Sequence, residues 1–347
     1  MTKSIALALL HQGLVRNHNE DNLFLLDSAV PVSKTGNYER SAASADLLQF
    51  YAVADGMGGR GIGDLAAFTV MRVLDQQRRH VKPGSRFDFS AFAHDQVEMA
   101  NRSVREQLAK YTGMPVGTTF SLLAIDRDTA YTLSLGNSRI YLFRDNQLNQ
   151  LTEDHVNQLQ ERRKVVQYIG FLPDQSRSEA ENLSRITLER GDVFILATDG
   201  ITDVLSASQI AAALNSPSAF VQQIRQIRDL VLQAGGRDNL ALIGIKIQEV
   251  HVTAKPVRAK RSEHPAVGFL TSREQAGQDR EGTTAKIGQA GTRYKGPKIK
   301  GSAGYLQSSN RRRKLRPLLF FLFFILLGIL LGKVVFSLPA LLKIIFP

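Results

Sequence analysis

Short apolar runs dominate the first 250 residues, at 4–10, 22–27, 50–54, 118–125, 130–135, 139–143, 193–198 and 239–247. Many are rich in Val, Ile, Leu, Tyr and Phe and bounded by Gly, Asn or Asp, the pattern of β-strands. Stretches with helical spacing lie between them at about 64–80, 88–111, 156–168, 207–214 and 217–234. The strands arrive in neighbouring groups. Asp145-Asn146, between Arg139–Phe143 and Gln147–Leu151, suits a tight hairpin turn. Such grouping predicts an α+β fold with antiparallel sheets rather than a series of βαβ units.

Charge divides the chain. The net charge of +12 over 347 residues is uneven: residues 1–250 hold 26 Lys and Arg against 28 Asp and Glu, and the remainder 18 against 4. A folded basic surface gripping nucleic acid is therefore not expected in the first part, and no nucleic-acid partner is expected for the chain. The absence of cysteine excludes disulfides, thiolate zinc sites, iron–sulfur clusters and a cysteine nucleophile.

Domain boundaries follow: a globular domain over 1–250, a basic linker over 251–316, an apolar segment over 317–338 and a short tail over 339–347. The linker, rich in Gly, Ser, Gln, Thr, Lys and Arg, reads as a solvated tether, as a segment drawn to anionic lipid, or, least, as a nucleic-acid binder. Pro317–Gly332 is a run of 16 uncharged residues, about 24 Å as helix. A bilayer core needs roughly 30 Å, so a span would continue past Lys333, which can snorkel, to Leu338. A single transmembrane helix is expected; a buried or interfacial helix is the other reading. Arg311-Arg312-Arg313-Lys314 and Arg316 precede the segment and predict a cytoplasmic location for the large domain.

Carboxylates carry the chemistry. Glu20-Asp21, Asp55-Gly56, Asp199-Gly200, Asp203 and Asp238-Asn239 lie at apparent strand ends. Asp55 follows Phe50–Ala54 and Asp199 follows Val193–Thr198, so apolar strands deliver acids to their ends, with Gly permitting close backbone approach. Each pair alone is a common turn dipeptide. Together they would repel one another unless a cation sits among them, and an all-oxygen donor set suits Mg²⁺ or Mn²⁺. Both readings, turns and a divalent-metal site, stand at this point. Gly56–Gly63 is no nucleotide loop, since Asp55 at its head would repel a pyrophosphate and the Lys-Ser/Thr of a Walker loop is missing.

Seven motifs in order resemble the type 2C metal-dependent protein serine/threonine phosphatases, most of all their bacterial branch: Gly13-Leu-Val-Arg16-Asn-His-Asn-Glu20-Asp21, Ala54-Asp55-Gly56-Met57-Gly58-Gly59, Gly117-Thr118-Thr119, Gly136-Asn137-Ser138-Arg139, Leu151-Thr152-Glu-Asp154-His155, Thr198-Asp199-Gly200-Ile-Thr-Asp203 and Gly235-Gly236-Arg-Asp238-Asn239. The resemblance covers about residues 4–248. It implies an αββα sandwich of two antiparallel sheets flanked by helices, with two Mn²⁺ or Mg²⁺ ions in a cleft at the sheet edges. On this likeness Asp55 bridges both ions, Asp199 and Asp238 complete one, and Glu20 with the Gly56 carbonyl serves the other. Arg16 binds the substrate phosphate, and Asp21 holds metal-bound water. The implied reaction is in-line attack of a metal-bridging hydroxide on phosphoserine or phosphothreonine in proteins, opposing Ser/Thr kinases.

Three departures stand out. Asn137 replaces the Asp that in the family joins residues matching Asp199 and Asp203 in a third, weaker metal site, so that site is expected to bind weakly. Met57 replaces the His that some relatives carry, and the stretch from His155 to Glu189 is short for a flap. The rival expectation is a catalytically weak or inactive phosphatase-like module that binds phosphoproteins or a regulator at the membrane.

Overall fold

The computed structural model describes residues 1–58, 62–82, 86–109, 111, 116–157, 164–171, 183–251 and 268–269. Met1–Gly277 form one compact unit, and Gln278–Pro347 a second that lies outside the described residues. The predicted membrane segment 317–338, its tail and nearly all of the linker therefore lie outside them too. Among the described residues no helix is long and apolar enough to cross a membrane.

In chain order the elements are β1 (Lys3–His11), β2 (Asp21–Leu25), β3 (Ser28–Ala29), β4 (Asn37–Ser44), β5 (Leu48–Met57), α1 (Gly63–His80), α2 (Phe89–Leu108), β6 (Gly117–Thr118), β7 (Phe120–Asp126), β8 (Thr129–Leu135), β9 (Arg139–Arg144), β10 (Gln147–Gln150), β11 (Val156–Asn157), β12 (Lys164–Val165), β13 (Ser184–Thr187), β14 (Val193–Ala197), α3 (Asp199–Thr202), α4 (Ala207–Leu214), α5 (Phe220–Gln233), β15 (Leu240–Glu249) and β16 (Gly268–Phe269). One sheet has the order β10-β9-β14-β15-β1-β4. The other runs β16-β13-β8-β7-β5-β2-β3, with β6 paired to the end of β5. The pairings within both sheets are antiparallel.

Side-chain alternation stacks the layers. In β1, Ala6, Ala8 and Leu10 enter the core between the sheets, while Leu7 and Leu9 face α4 and α5. In β5, Tyr51 and Val53 point to the intersheet core, and Phe50, Ala52 and Ala54 point to α1 and α2. Strands buried on both faces read as continuous apolar runs, which is why they stand out in the sequence. The helices close the outer faces with single stripes, such as Phe220, Ile224, Ile227 and Val231 of α5. Gly244 lets α5 approach β15: a Cβ there would lie 2.3 Å from Ile224 Cδ1. Capping fixes two helix starts. Asp88 accepts from Ala91 N ahead of α2, and Ser206 and Gln209 form a capping box at α4. The four layers match the expected αββα sandwich.

Asp145 and Asn146 have φ of 52° and 60°, so the β9–β10 hairpin turns where expected, on residues that tolerate the left-handed region. One helix expectation fails. The described parts of 156–168 are not helical: Val156-Asn157 pairs with Lys164-Val165, and Val166 N donates to His155 O at 2.9 Å. Adjacent β-branched Val165 and Val166 favour this extended pairing over a helix. The charged run Glu161–Lys164 lies largely, and Gln175–Glu181 wholly, outside the described residues.

Candidate active site

Both sheets bring acids to one edge. Asp21 opens β2 directly opposite Asp55 near the end of β5. Asp199 follows β14 at the start of α3, and Asp238 precedes β15. The strand ends are tied across the gap. Gly56 N donates to Glu20 O at 3.1 Å, Glu20 N to Asn239 Oδ1 at 2.9 Å, and Thr198 N to Ala241 O at 3.1 Å. Glycine is required at two of these crossings. A Cβ on Gly56 would lie 2.6 Å from Glu20 O, and one on Gly200 only 1.8 Å from Asn239 O.

Three acids meet at the centre. The carboxyls of Asp21, Asp55 and Asp199 lie close enough to act on one another. Burial pushes Asp55 well above the usual carboxylate range, and the charges of Asp199, Asp21 and Asp238 push it further. Asp21 is raised to about 8 by burial, against the opposing hydrogen bond from Thr198. Asp199 is also raised by burial, while the Asn137 amide draws it down and Asp203 and Asp238 raise it. Among the described residues the groups acting most strongly on Asp55 are thus other aspartates.

Around this centre, Glu20 Oε1 accepts from Gly63 N at 3.3 Å, and Arg16 Nη2 donates to Asp238 Oδ2 at 2.7 Å. Asp203 sits one turn after Asp199, its N–H donating to Asp199 O at 2.8 Å. The structure therefore joins Asp21, Asp55 and Asp199 directly, with Asp238 and Asp203 acting on them through charge. It holds Glu20 at the Gly56–Gly63 crossing and Arg16 on Asp238. Among the described residues no three His, Asp or Glu side chains form a ready-made metal cage. The acids are turned onto one another or, at Asp238, onto Arg16. The donor chemistry nonetheless fits a hard divalent cation: a cluster of carboxyl oxygens drawn out of water, with the buried Oδ1 of Asn137, whose amide bonds Asp199, left without a hydrogen-bond partner among the described residues.

Residues 39–242 match the family model described as Protein phosphatase 2C. The chain belongs to the protein phosphatase 2C family. Protein phosphatase PhpP of Streptococcus pneumoniae is 30% identical over 220 residues, covering 57% of this chain and 85% of PhpP. Serine/threonine protein phosphatase PstP of Mycobacterium tuberculosis is 26% identical over 250 residues, covering 67% of this chain and 43% of PstP. The crystal structure of the PstP catalytic domain in complex with two manganese ions superposes with a TM-score of 0.55, at 23% identity, covering 71% of this chain and all of that one. At that identity the likeness speaks for the fold. As a member of the 2C family of bacterial type, the chain is a protein serine/threonine phosphatase.

Four residues that support the site lie inside the sequence motifs but carry no role there. Thr198 Oγ1 donates to Asp21 Oδ2 at 2.7 Å and accepts from Ala241 N at 2.9 Å. Thr119 Oγ1 accepts from Asp55 N at 2.9 Å, and its N–H donates to Asp55 O. Asn239 clamps the Arg16 loop, its Nδ2 donating to Gln12 O and His18 O at 2.8 Å each. His155 Nδ1 accepts from Gly136 N at 3.1 Å and so holds the turn that carries Asn137. A hydroxyl or amide next to each acidic motif was the one available signal.

Proposed function

We propose that this chain is a metal-dependent protein serine/threonine phosphatase that takes two Mn²⁺ or Mg²⁺ ions, with room for a weak third, and is tethered to a membrane by residues 317–338. The observation that carries the reading is the convergence of Asp21, Asp55, Asp199 and Asp238 at one edge of the sheets, with Arg16 on Asp238. Asp55, Asp199 and Asp238 would hold one ion and Glu20, Asp55 and the Gly56 carbonyl the other, with Asp203 and the Asn137 carbonyl serving the third. Bound divalent ions acidify water and offset phosphoryl charge. Arg16 offers a permanently charged planar fork to the phosphate and orients it toward the acids. Asp21, held by Thr198, would help to keep water at the metal ions. The water oxygen bonds to phosphorus as the ester P–O bond breaks; the water gives up a proton to solvent, and the departing Ser or Thr oxygen takes one from solvent. Asp21 and Asp55 would guide the attack, with Thr198 and Thr119 bonded to them.

The apolar run, the basic residues before it and the linker support a cytoplasmic catalytic domain held near membrane phosphoproteins, opposing Ser/Thr kinases, where tethering raises local concentration. The test is hydrolysis of p-nitrophenyl phosphate and a phosphothreonine peptide by the full chain, with Mn²⁺ and Mg²⁺ titrated and Asp199→Asn as control. Metal-dependent turnover that the control lacks is expected. A folded chain with no turnover at millimolar metal would overturn the catalytic reading. Co-flotation with lipid vesicles, lost on deleting residues 311–347, is the matching test of the tether.

A further inference from the structure

Among the described residues the exposed large hydrophobic side chains are Met1, Leu14, Val15, Met99, Val166, Phe171 and Val204. Single exposed apolar residues are ordinary. Their placement here is not, because most lie on segments that carry or brace site groups. Leu14 and Val15, 63% and 64% exposed, immediately precede Arg16. Val204 follows Asp203. Phe171 stacks on Tyr168 at 5.3 Å, on the segment whose Ile169 exchanges backbone hydrogen bonds with Thr118; Thr118 Oγ1 in turn donates to Asp55 O.

The Leu14–Val15 tip is held in place. Gly13, with φ of 84°, packs its backbone onto the 236–238 loop: a Cβ there would lie 2.3 Å from Asp238 O. Leu14 N donates to Gly236 O at 2.7 Å, and Gln12 Nε2 donates to Arg16 O at 2.6 Å. Asn239 grips the loop at Gln12 O and His18 O. Two apolar side chains are thus presented to solvent on a fixed backbone, one and two residues before the arginine proposed to take phosphate. Fixed apolar surface binds a ligand with little ordering loss.

We propose that Leu14 and Val15 form an apolar lip that selects phosphoprotein segments with an apolar side chain within two residues of the phosphoserine or phosphothreonine. This rests on the phosphatase reading and deepens it. Adjacent Cα atoms are about 3.8 Å apart in both chains. On this proposal the substrate residues flanking a phosphate held by Arg16 run past the exposed Leu14 and Val15. Removing the flanking residue's water-exposed apolar area against this lip favours binding.

The test compares two phosphothreonine peptides that differ only in having Leu or Ser on both sides of the phosphoresidue. The full chain, Val15→Thr and Leu14→Ser are each assayed with both peptides and with p-nitrophenyl phosphate. The parent is expected to favour the Leu peptide by about tenfold in kcat/KM, mainly through KM. Each variant narrows that ratio several-fold. The ratio is taken within each protein, so a general loss of activity or of folded protein cancels. Val15→Thr preserves shape and serves as a second probe if Leu14→Ser folds poorly. A ratio near one in the parent, or an unchanged ratio in both variants, would overturn the lip while leaving the phosphatase reading in place. No metal-dependent turnover of any of the three substrates by the parent would overturn that reading and the lip with it.

Discussion

Asn137 donates from Nδ2 to Asp199 Oδ2 at 2.9 Å, placing an amide dipole where a third acid would otherwise face the cluster. This bond draws Asp199 down while burial and its acidic neighbours raise it. Asn137→Asp removes the donor and adds a charge. The metal-free variant should lose about 1–3 kcal/mol of stability. Added Mn²⁺ should then raise its melting temperature more than the parent's, because a ligand bound only by the folded state stabilises in proportion to its affinity. Calorimetric titration should show an additional or tighter ion. Equal metal-induced shifts in the two proteins would show that Asn137 has no bearing on the ions.

Asp21 gives the metal-free chain a signed pH dependence. Its folded value of about 8 lies above the unfolded 3.8, so between those values the unfolded chain has released a proton that the folded chain keeps. The stability linked to this group is complete below the unfolded value and is lost as pH rises through the folded one. Asp55 and Asp199, also raised, act in the same direction. Thermal melts in EDTA should therefore fall from about pH 5 to pH 8. Excess Mn²⁺ should flatten the fall, with proton release on binding. Asp21→Asn should remove part of the slope.

The sequence shows some of this architecture and hides the rest for physical reasons. Strands buried on both faces, such as β5 and β14, are continuous apolar runs, and their terminal Asp-Gly pairs are visible with them. β4 is not: Asn37–Ser44 is an edge strand with alternating exposure, built from Tyr, Glu, Arg, Ser and Ala, and only its pairing with β1 reveals it. The four-residue β13 is hidden for the same reason, as Arg185 and Thr187 face solvent. The acids were legible because carboxylates at strand ends are chemically costly. Thr198, 177 positions from the Asp21 it holds, could not be, since a threonine signals nothing until the fold supplies its partner.

Arg16 and Asp238 form an ion pair at 2.7 Å with both side chains about half exposed. Such a pair contributes little to stability. Arg16→Ala should therefore leave the melting temperature nearly unchanged. It should lower kcat/KM for phosphopeptides by about 10²–10³, the scale of losing one charged donor to a developing oxyanion. Arg16→Lys should restore only part, because a point charge lacks the planar fork. Equal kcat/KM in parent and Arg16→Ala would remove Arg16 from phosphate binding.

Gly200 separates the contribution of backbone closeness from that of charge. A Cβ at this position would lie 1.8 Å from Asn239 O, so Gly200→Ala must push α3 away from the strand carrying Asn239. Asp199 begins α3, and Asn239 both accepts from Glu20 N and grips the Arg16 loop. One methyl group thus displaces acids from three segments without altering a charge. The expected outcome is a stability loss of about 1–3 kcal/mol and a loss of metal-dependent turnover much larger than that destabilisation explains. The comparison that decides it is Gly244→Ala, which crowds Ile224 against β15. It should destabilise similarly while the folded fraction keeps its activity, read from turnover per folded molecule at a temperature well below both transitions.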